Sequence, residues 1–372
     1  MKYLDGFRNP DTARALSKRI RELAAELPTA AGPLHIMEVC GSHTMAIARY
    51  AIRDVLPASI DLISGPGCPV CVTDAGYIDA AIALVEQGII VATFGDMLPV
   101  PGSGESLAEC RSRGGRVEVC YSPMGAVELA LANPDREVVF LAIGFETTMA
   151  AVVSLVRIAA EREIPNLSLL VAFKQIPPAL AALADDPEIR VDAFLCPAHV
   201  SAIIGARAYE PFVARYGVPC VIAGFEPLDI LYGVVGILEQ RVAGRATVDN
   251  QYDRVVRYQG NEVAQALIDR YLEPSDASWR GIGVIPASGF ALRPAFSRYD
   301  AARRHGLEIK PGNPDRRCRC GDVLKGKIKP PDCPLFGRAC TPASPVGPCM
   351  VSTEGSCSAF FKYRSDRAVA TD

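Results

Sequence analysis

Six cysteines crowd the last part of the chain: Cys318, Cys320, Cys333, Cys340, Cys349 and Cys357. Thiolates are soft ligands, and four of them suit either tetrahedral zinc or a 4Fe-4S cluster. Zinc ribbons favour two tight pairs at separations of roughly two to four residues. The gaps here are mostly longer and irregular, which favours iron and sulfide and leaves structural zinc as the alternative. Pro330, Pro331, Pro334, Gly337, Gly347 and Pro348 let the backbone curl around a cuboid group and aim amide N–H groups at its sulfurs.

Two further thiol motifs stand early in the chain. Gly65-Pro66-Gly67-Cys68-Pro69-Val70-Cys71 follows an apolar strand-like run and precedes a helix. A helix N-terminus lowers a thiol pKa, so Cys68 and Cys71 read as a redox dithiol; a buried pair or half of a metal site is the plainer alternative. Cys40-Gly41-Ser42-His43-Thr44 occupies an equivalent strand-to-helix junction. Cys40 is a candidate iron ligand there, and His43 a candidate partner or proton shuttle, although a lone His near a helix start is more often a surface residue. Glu146 and Thr147 in GFETT, and His199 with Ser201 in PAHVS, stand at further strand ends, where either helix capping or a place in a ligand cleft explains them. Asp96 and Glu226 hold similar places. Cys110, Cys120, Cys196 and Cys220 are scattered and read as small buried hydrophobes.

The elements that must position these side chains alternate. Strand-like runs fall at 35–39, 60–64, 89–94, 117–120, 137–143, 167–173, 192–196 and 220–224, with helical segments such as 44–55, 75–87, 147–160 and 227–240 between them. An amphipathic helix over 11–27, capped by Asp11, precedes them all. Alternation predicts parallel α/β sheets, and eight strands are better split between two successive units than held in one. Strand-end Gly-Phe-Glu occurs at both 144–146 and 224–226, a faint internal echo. After about Arg241 the pattern changes to a loop-rich, Pro- and Gly-bearing segment. Residues 303–338 carry ten Lys and Arg against four acids, which reads either as a solvated loop or as cations that offset an anionic cluster or dock an acidic partner.

Composition bounds the function. A chain of 372 residues with 49% hydrophobic content buries a substantial core, and its net charge of −3 gives no reason to expect nucleic acid. The N-terminus lacks the pattern of a secretion signal. Residues 138–156 approach the length that spans a bilayer, but Gly144 and Glu146 break the run into a buried strand and a capped helix. No membrane attachment is expected. Thirteen cysteines in a chain without an export signal point to metal or thiol chemistry in a reducing cytoplasm.

Together, CGSHT at 40–44, GPGCPVC at 65–71, GFETT at 144–148, PAHVS at 197–201 and the terminal CGDVLKG, DCPLFG, CTP and CMVSTEGSC segments resemble the HypD family of NiFe-hydrogenase maturation proteins over essentially the whole chain. The resemblance implies two similar parallel-sheet α/β domains facing a cleft, at 30–120 and 121–240. It implies a third, mixed iron-sulfur domain built from both chain ends, 1–29 and 241–372. It assigns a 4Fe-4S cluster to Cys320, Cys333, Cys340 and Cys357, with Cys318 and Cys349 left as extra thiols. Cys40 becomes the ligand of a transient Fe(CN)2CO centre, and Cys68 with Cys71 the dithiol that exchanges electrons with the cluster. The implied partners are a small HypC-type chaperone and HypE, with HypF, as cyanide donor; the chain alone is expected to be monomeric. Such a protein is an assembly scaffold with redox activity rather than a conventional turnover enzyme. A cluster-dependent thiol-disulfide reductase resembling ferredoxin:thioredoxin reductase, and a zinc-stabilised adaptor, are the rival readings.

Overall fold

In a computed structural model that describes residues 5–28 and 32–368, the apolar runs become strands. Residues 1–4 and 29–31, expected in the third domain and at the start of the first, lie outside the described residues, as do 369–372. The strands are β1 (Leu34–Glu38), β2 (Ile60–Ser64), β3 (Ile90–Thr93), β4 (Val117–Val119), β5 (Val138–Gly144), β6 (Leu167–Phe173), β7 (Ala193–Pro197), β8 (Cys220–Ala223), β9 (Val248–Asn250), β10 (Leu272–Trp279) and β11 (Gly283–Leu292).

They form two parallel sheets and one antiparallel hairpin. The first sheet has the order β2-β1-β7-β8-β9 and the second β4-β3-β5-β6, so the division does not fall at residue 120. The chain lays down β1 and β2, leaves to build the whole second sheet, and returns at β7 to pair with β1, Met37 opposite Phe194. Local patterning fixes that these runs are strands; which neighbours they take is set by long-range burial, and that is why the successive-unit expectation fails.

The two chain ends enter different cores. The helix Pro10–Glu26 buries Leu16, Ile20, Leu23 and Ala24 among Ile36, Leu195 and Leu228 of the first sheet and its helices. Cys320, Cys333, Cys340, Cys349 and Cys357 belong instead to the core shared with Cys68, Cys71 and Trp279. Asn9 rather than Asp11 caps that first helix, its Oδ1 accepting from Asp11 N and Thr12 N, with Pro10 pre-set at the first helical position.

The helix expected over 44–55 breaks in two, Gly41–Arg49 and Ile52–Val55, because Ala51 takes a left-handed φ of 54°. The uncharged window 138–156 divides into fully buried β5 and the helix Glu146–Glu161; among the described residues no helix is long and apolar enough to cross a membrane. Much of the cationic excess of 303–338 is spent inside the molecule. Lys325 and Lys327 both face Asp186, Lys327 also pairs with Glu188, and Lys329 reaches Asp61 at 3.0 Å, clamping the tail onto the sheet-bearing body.

Candidate functional site

All pairings within each large sheet are parallel, so their strand C-termini open in one direction, the place where α/β proteins bind ligands. Cys40 follows β1 and begins the helix Gly41–Arg49 as its N-cap. Behind it the Gly65-Pro66-Gly67 loop leaving β2 lies directly on its backbone: Gly65 N–H donates to Glu38 O at 2.7 Å and Gly41 N–H to Gly67 O at 3.0 Å. Only glycine fits at 67, where a Cβ would stand 2.0 Å from Cys40 N. The Cys40 sulfur accepts backbone N–H groups of His43 and Ser42, but burial dominates and pushes its thiol up to about 12, with the charges of Glu354 and Glu38 adding to the rise. Glu38 is itself fully buried, accepting from Thr44 Oγ1 at 2.6 Å and Cys40 N at 3.1 Å; burial raises its carboxyl to about 7.

His43 is not the surface residue its position suggested. It is fully buried, its Nε2 lying 3.1 Å from Ala223 O and 2.9 Å from Gly224 O at the end of β8, and its ring 4.9 Å from that of Phe225. Burial lowers its pKa to about 4, so the ring is neutral at pH 7 and Nε2 donates to those carbonyls. Phe225 also touches His199, at 4.3 Å between rings, which brings the GFE turn, CGSHT and PAHVS together at one corner; His199 is exposed. Glu354 reaches the same corner from the tail. Ser42 Oγ donates to its Oε1 at 2.7 Å, and a Cβ on Gly41 would meet its Cβ at 2.5 Å. Its charge is felt by Cys40, His199 and Asp96, and Asp96 is held up chiefly by burial. Glu354 was visible only as a member of the CMVSTEGSC segment, and Glu38 only within the strand-like run at 35–39.

Cys68 caps a short helix, Pro69–Val72, and both of its cysteines are buried, Cys71 completely. The expected lowering by the helix terminus is overridden: the four-residue helix has little dipole to offer, and burial drives the Cys71 thiol well above its ordinary value. Its sulfur donates to Pro348 O at 3.8 Å and interacts with those of Cys349 and Cys68. Cys349 in turn interacts with Cys320, and Cys320 with Cys318. A continuous line of interacting sulfurs therefore runs from the early dithiol into the tail, with Cys349, which the sequence left as a spare thiol, at its middle.

Cys318, Cys320, Cys333, Cys340, Cys349 and Cys357 line one cavity with Phe336, Gly347 and Met350. Two features suit it to a sulfur-bound cluster. A Cβ on Gly347 would fall 2.5 Å from Cys318 Sγ, so the backbone approaches as closely as glycine permits, and Val346 N–H donates to Cys340 Sγ at 3.4 Å. Among the described residues no three His, Cys, Asp or Glu side chains form a site for a single metal ion; the sulfurs surround a space instead.

GFETT splits its roles. Glu146 is buried, its Oε1 accepting from Ile176 N at 2.9 Å while Oε2 has no partner, and burial raises its carboxyl to about 7; Thr147 is exposed. Cys110, Cys120, Cys196 and Cys220 are buried among apolar residues.

The profile of the HypD family, described as the hydrogenase formation hypA family, matches residues 11–364. A hydrogenase maturation factor HypD of Azotobacter vinelandii is 46% identical, over 99% of this chain and 98% of its own length. The Escherichia coli K12 factor of the same name is 43% identical over the full length of both chains, and that of Rhodobacter capsulatus 41% over 99% of this chain and 100% of its own.

Proposed function

The chain belongs to the HypD family of hydrogenase maturation factors, and from that premise we propose that it is a redox-active scaffold. On it, with a small HypC-type chaperone, the Fe(CN)2CO centre of a NiFe hydrogenase is assembled and carried. The observation that supports this reading most is the unbroken sulfur line from Cys71 through Cys349 to Cys320. Interacting thiols at one end of that line and a cavity ringed by cysteines at the other are the parts an electron path to a metal cargo requires.

Cys320, Cys333, Cys340 and Cys357 are the residues that would hold a 4Fe-4S cluster, which when bound supplies one-electron exchange. The residues around it do the rest. Cys68 and Cys71 store electrons as the reduced pair and release two electrons and two protons on closing to a disulfide. Burial keeps bulk water and foreign thiols from them. Cys40 binds the cargo iron, losing on ligation the proton that burial otherwise holds up to about pH 12. The N–H groups of Ser42 and His43 steady its thiolate, and neutral His43 braces the wall formed by the 223–225 turn. Exposed His199 and Thr147 face the medium, where a HypE-type donor, charged by HypF, delivers cyanide. The cytoplasm is the compartment in which such thiols stay reduced.

The reductase alternative finds less support, because a protein disulfide would have to reach Cys68 or Cys71 and neither is exposed. The deciding experiment is infrared spectroscopy of the chain co-purified anaerobically with its small partner. Bands of iron-bound cyanide and carbonyl are expected in the wild type and absent from Cys40→Ala. Their persistence in that variant would remove Cys40 as the ligand, and their absence from the wild type would favour the reductase.

A further inference from the structure

Arg280 follows β10, in the turn that leads to β11, at the junction of the dithiol and the cysteine cavity. Its backbone N–H donates to Val72 O at 2.9 Å, just past Cys71, while Thr73 bridges Trp279. Its neighbour Gly281 lies against Gly321, where a Cβ would stand 2.3 Å from Gly321 Cα, so the turn is pressed onto the segment bearing Cys318 and Cys320. The Arg280 side chain is 3% exposed. Nη2 donates to Pro101 O at 2.7 Å, but Nε and Nη1 have no partner, and among the described residues no carboxylate pairs with it. Its charge acts instead on the sulfurs of Cys318 and Cys320 in the direction that favours thiolate.

A guanidinium cannot escape burial by losing its proton, so an unpaired one with orphaned N–H groups is a costly arrangement unless an anion completes it. The turn that carries it lies against the segment bearing Cys318 and Cys320 of the cavity. We propose that Arg280 is the counter-ion of the cysteine-bound cluster: its buried charge, carried on the turn that packs against the segment bearing Cys318 and Cys320, raises the reduction potential by favouring the more negative, reduced state. The placement also ties that charge to the dithiol through Val72, so one residue braces both ends of the sulfur line. This inference rests on the reading that the cavity holds an iron-sulfur cluster.

The test is a redox titration of the anaerobically purified full chain, followed by electron paramagnetic resonance, in wild type, R280K and R280M, with iron and sulfide content measured on each. At the potential where the wild type is half reduced, R280M should show a reduced-to-oxidised ratio at least tenfold lower, equivalent to about 59 mV for one electron. R280K, which keeps the charge and loses the planar fork, should stay within roughly threefold of wild type. R280M with wild-type iron and sulfide and an unchanged ratio would overturn the proposal. If R280M folds but takes up no cluster, R280K decides: a cluster retained there supports a requirement for the charge, and a cluster lost there as well, in a protein with wild-type circular dichroism, overturns it. A wild type without iron and sulfide would instead sink the underlying reading and leave no role of this kind to assign.

Discussion

Replacing Gly67 by Ala attacks the Cys40 site at its tightest point. The new Cβ would lie 2.0 Å from Cys40 N, 2.3 Å from Val39 C and 2.4 Å from Cys40 Cα, all of them backbone atoms with no rotamer to yield. Ordinary contact begins near 3.4 Å, so the loop has to retreat by more than an ångström. Overpacking of this kind costs about 1–3 kcal/mol. The retreat also breaks the hydrogen bond from Gly41 N to Gly67 O, worth about 0.5–1.5 kcal/mol. The expected loss is therefore about 2–4 kcal/mol, with Cys40 uncovered at the same time. Urea unfolding followed by fluorescence of Trp279, the only tryptophan in the sequence and itself buried, reads the first effect, and alkylation of Cys40 with iodoacetamide the second. Gly104→Ala, where a Cβ meets nothing within 4 Å, is the control and should stay within about 0.5 kcal/mol. Equal stability and equal Cys40 alkylation in G67A and wild type would refute the packing argument.

Glu146→Gln removes a carboxyl held at about 7 by burial. Because the native state binds that proton more tightly than the unfolded chain, the wild type loses stability as pH rises from 4.5 through 7; E146Q should gain about 3 kcal/mol relative to it across that window, and a pH-independent difference between the two would contradict the assignment. Glu354→Ala takes away both the Ser42 hydrogen bond and a charge that disfavours the Cys40 thiolate, so Cys40 should alkylate faster, by up to roughly tenfold; an unchanged rate counts against Glu354 as part of the site. Asp186→Asn unclamps Lys325 and Lys327, which should lower the urea midpoint by the equivalent of about 1 kcal/mol at low salt, and by less in molar salt; a loss that ignores salt would mean the clamp is not electrostatic.

The sequence reveals elements better than their company. All eight expected strands appear within a residue or so, because β-branched runs bounded by Gly, Pro and Asp carry their own signal. The hairpin β10–β11 does not announce itself: LEPSDASW mixes Pro, Ser and acids with few apolar residues, and only pairing with its partner makes it a strand. Three-residue β9 is too short and too polar to register. The regrouping of β1 and β2 with β7 to β9 could not be read locally, since nothing in either strand encodes its neighbour.

The same holds at the site. Motif positions at strand ends located Cys40, Cys68 and Cys71, because parallel sheets put such residues on one rim. Burial, however, is a tertiary property, and it reversed two readings: His43 is an internal neutral ring, and the Cys71 thiol is raised rather than lowered. Cys349 gains its place between Cys71 and Cys320 from the fold of a tail rich in Pro and Gly, which no periodicity describes. Arg280 carried no sequence signal at all; only two orphaned nitrogens on a buried side chain make it conspicuous.

The most direct test of the central claim is metal and sulfide analysis of the chain purified without oxygen. About four iron and four acid-labile sulfide per chain, bound to a brown protein and lost together in Cys333→Ala or Cys357→Ala, is the predicted result. A colourless protein holding zinc and no sulfide would contradict it.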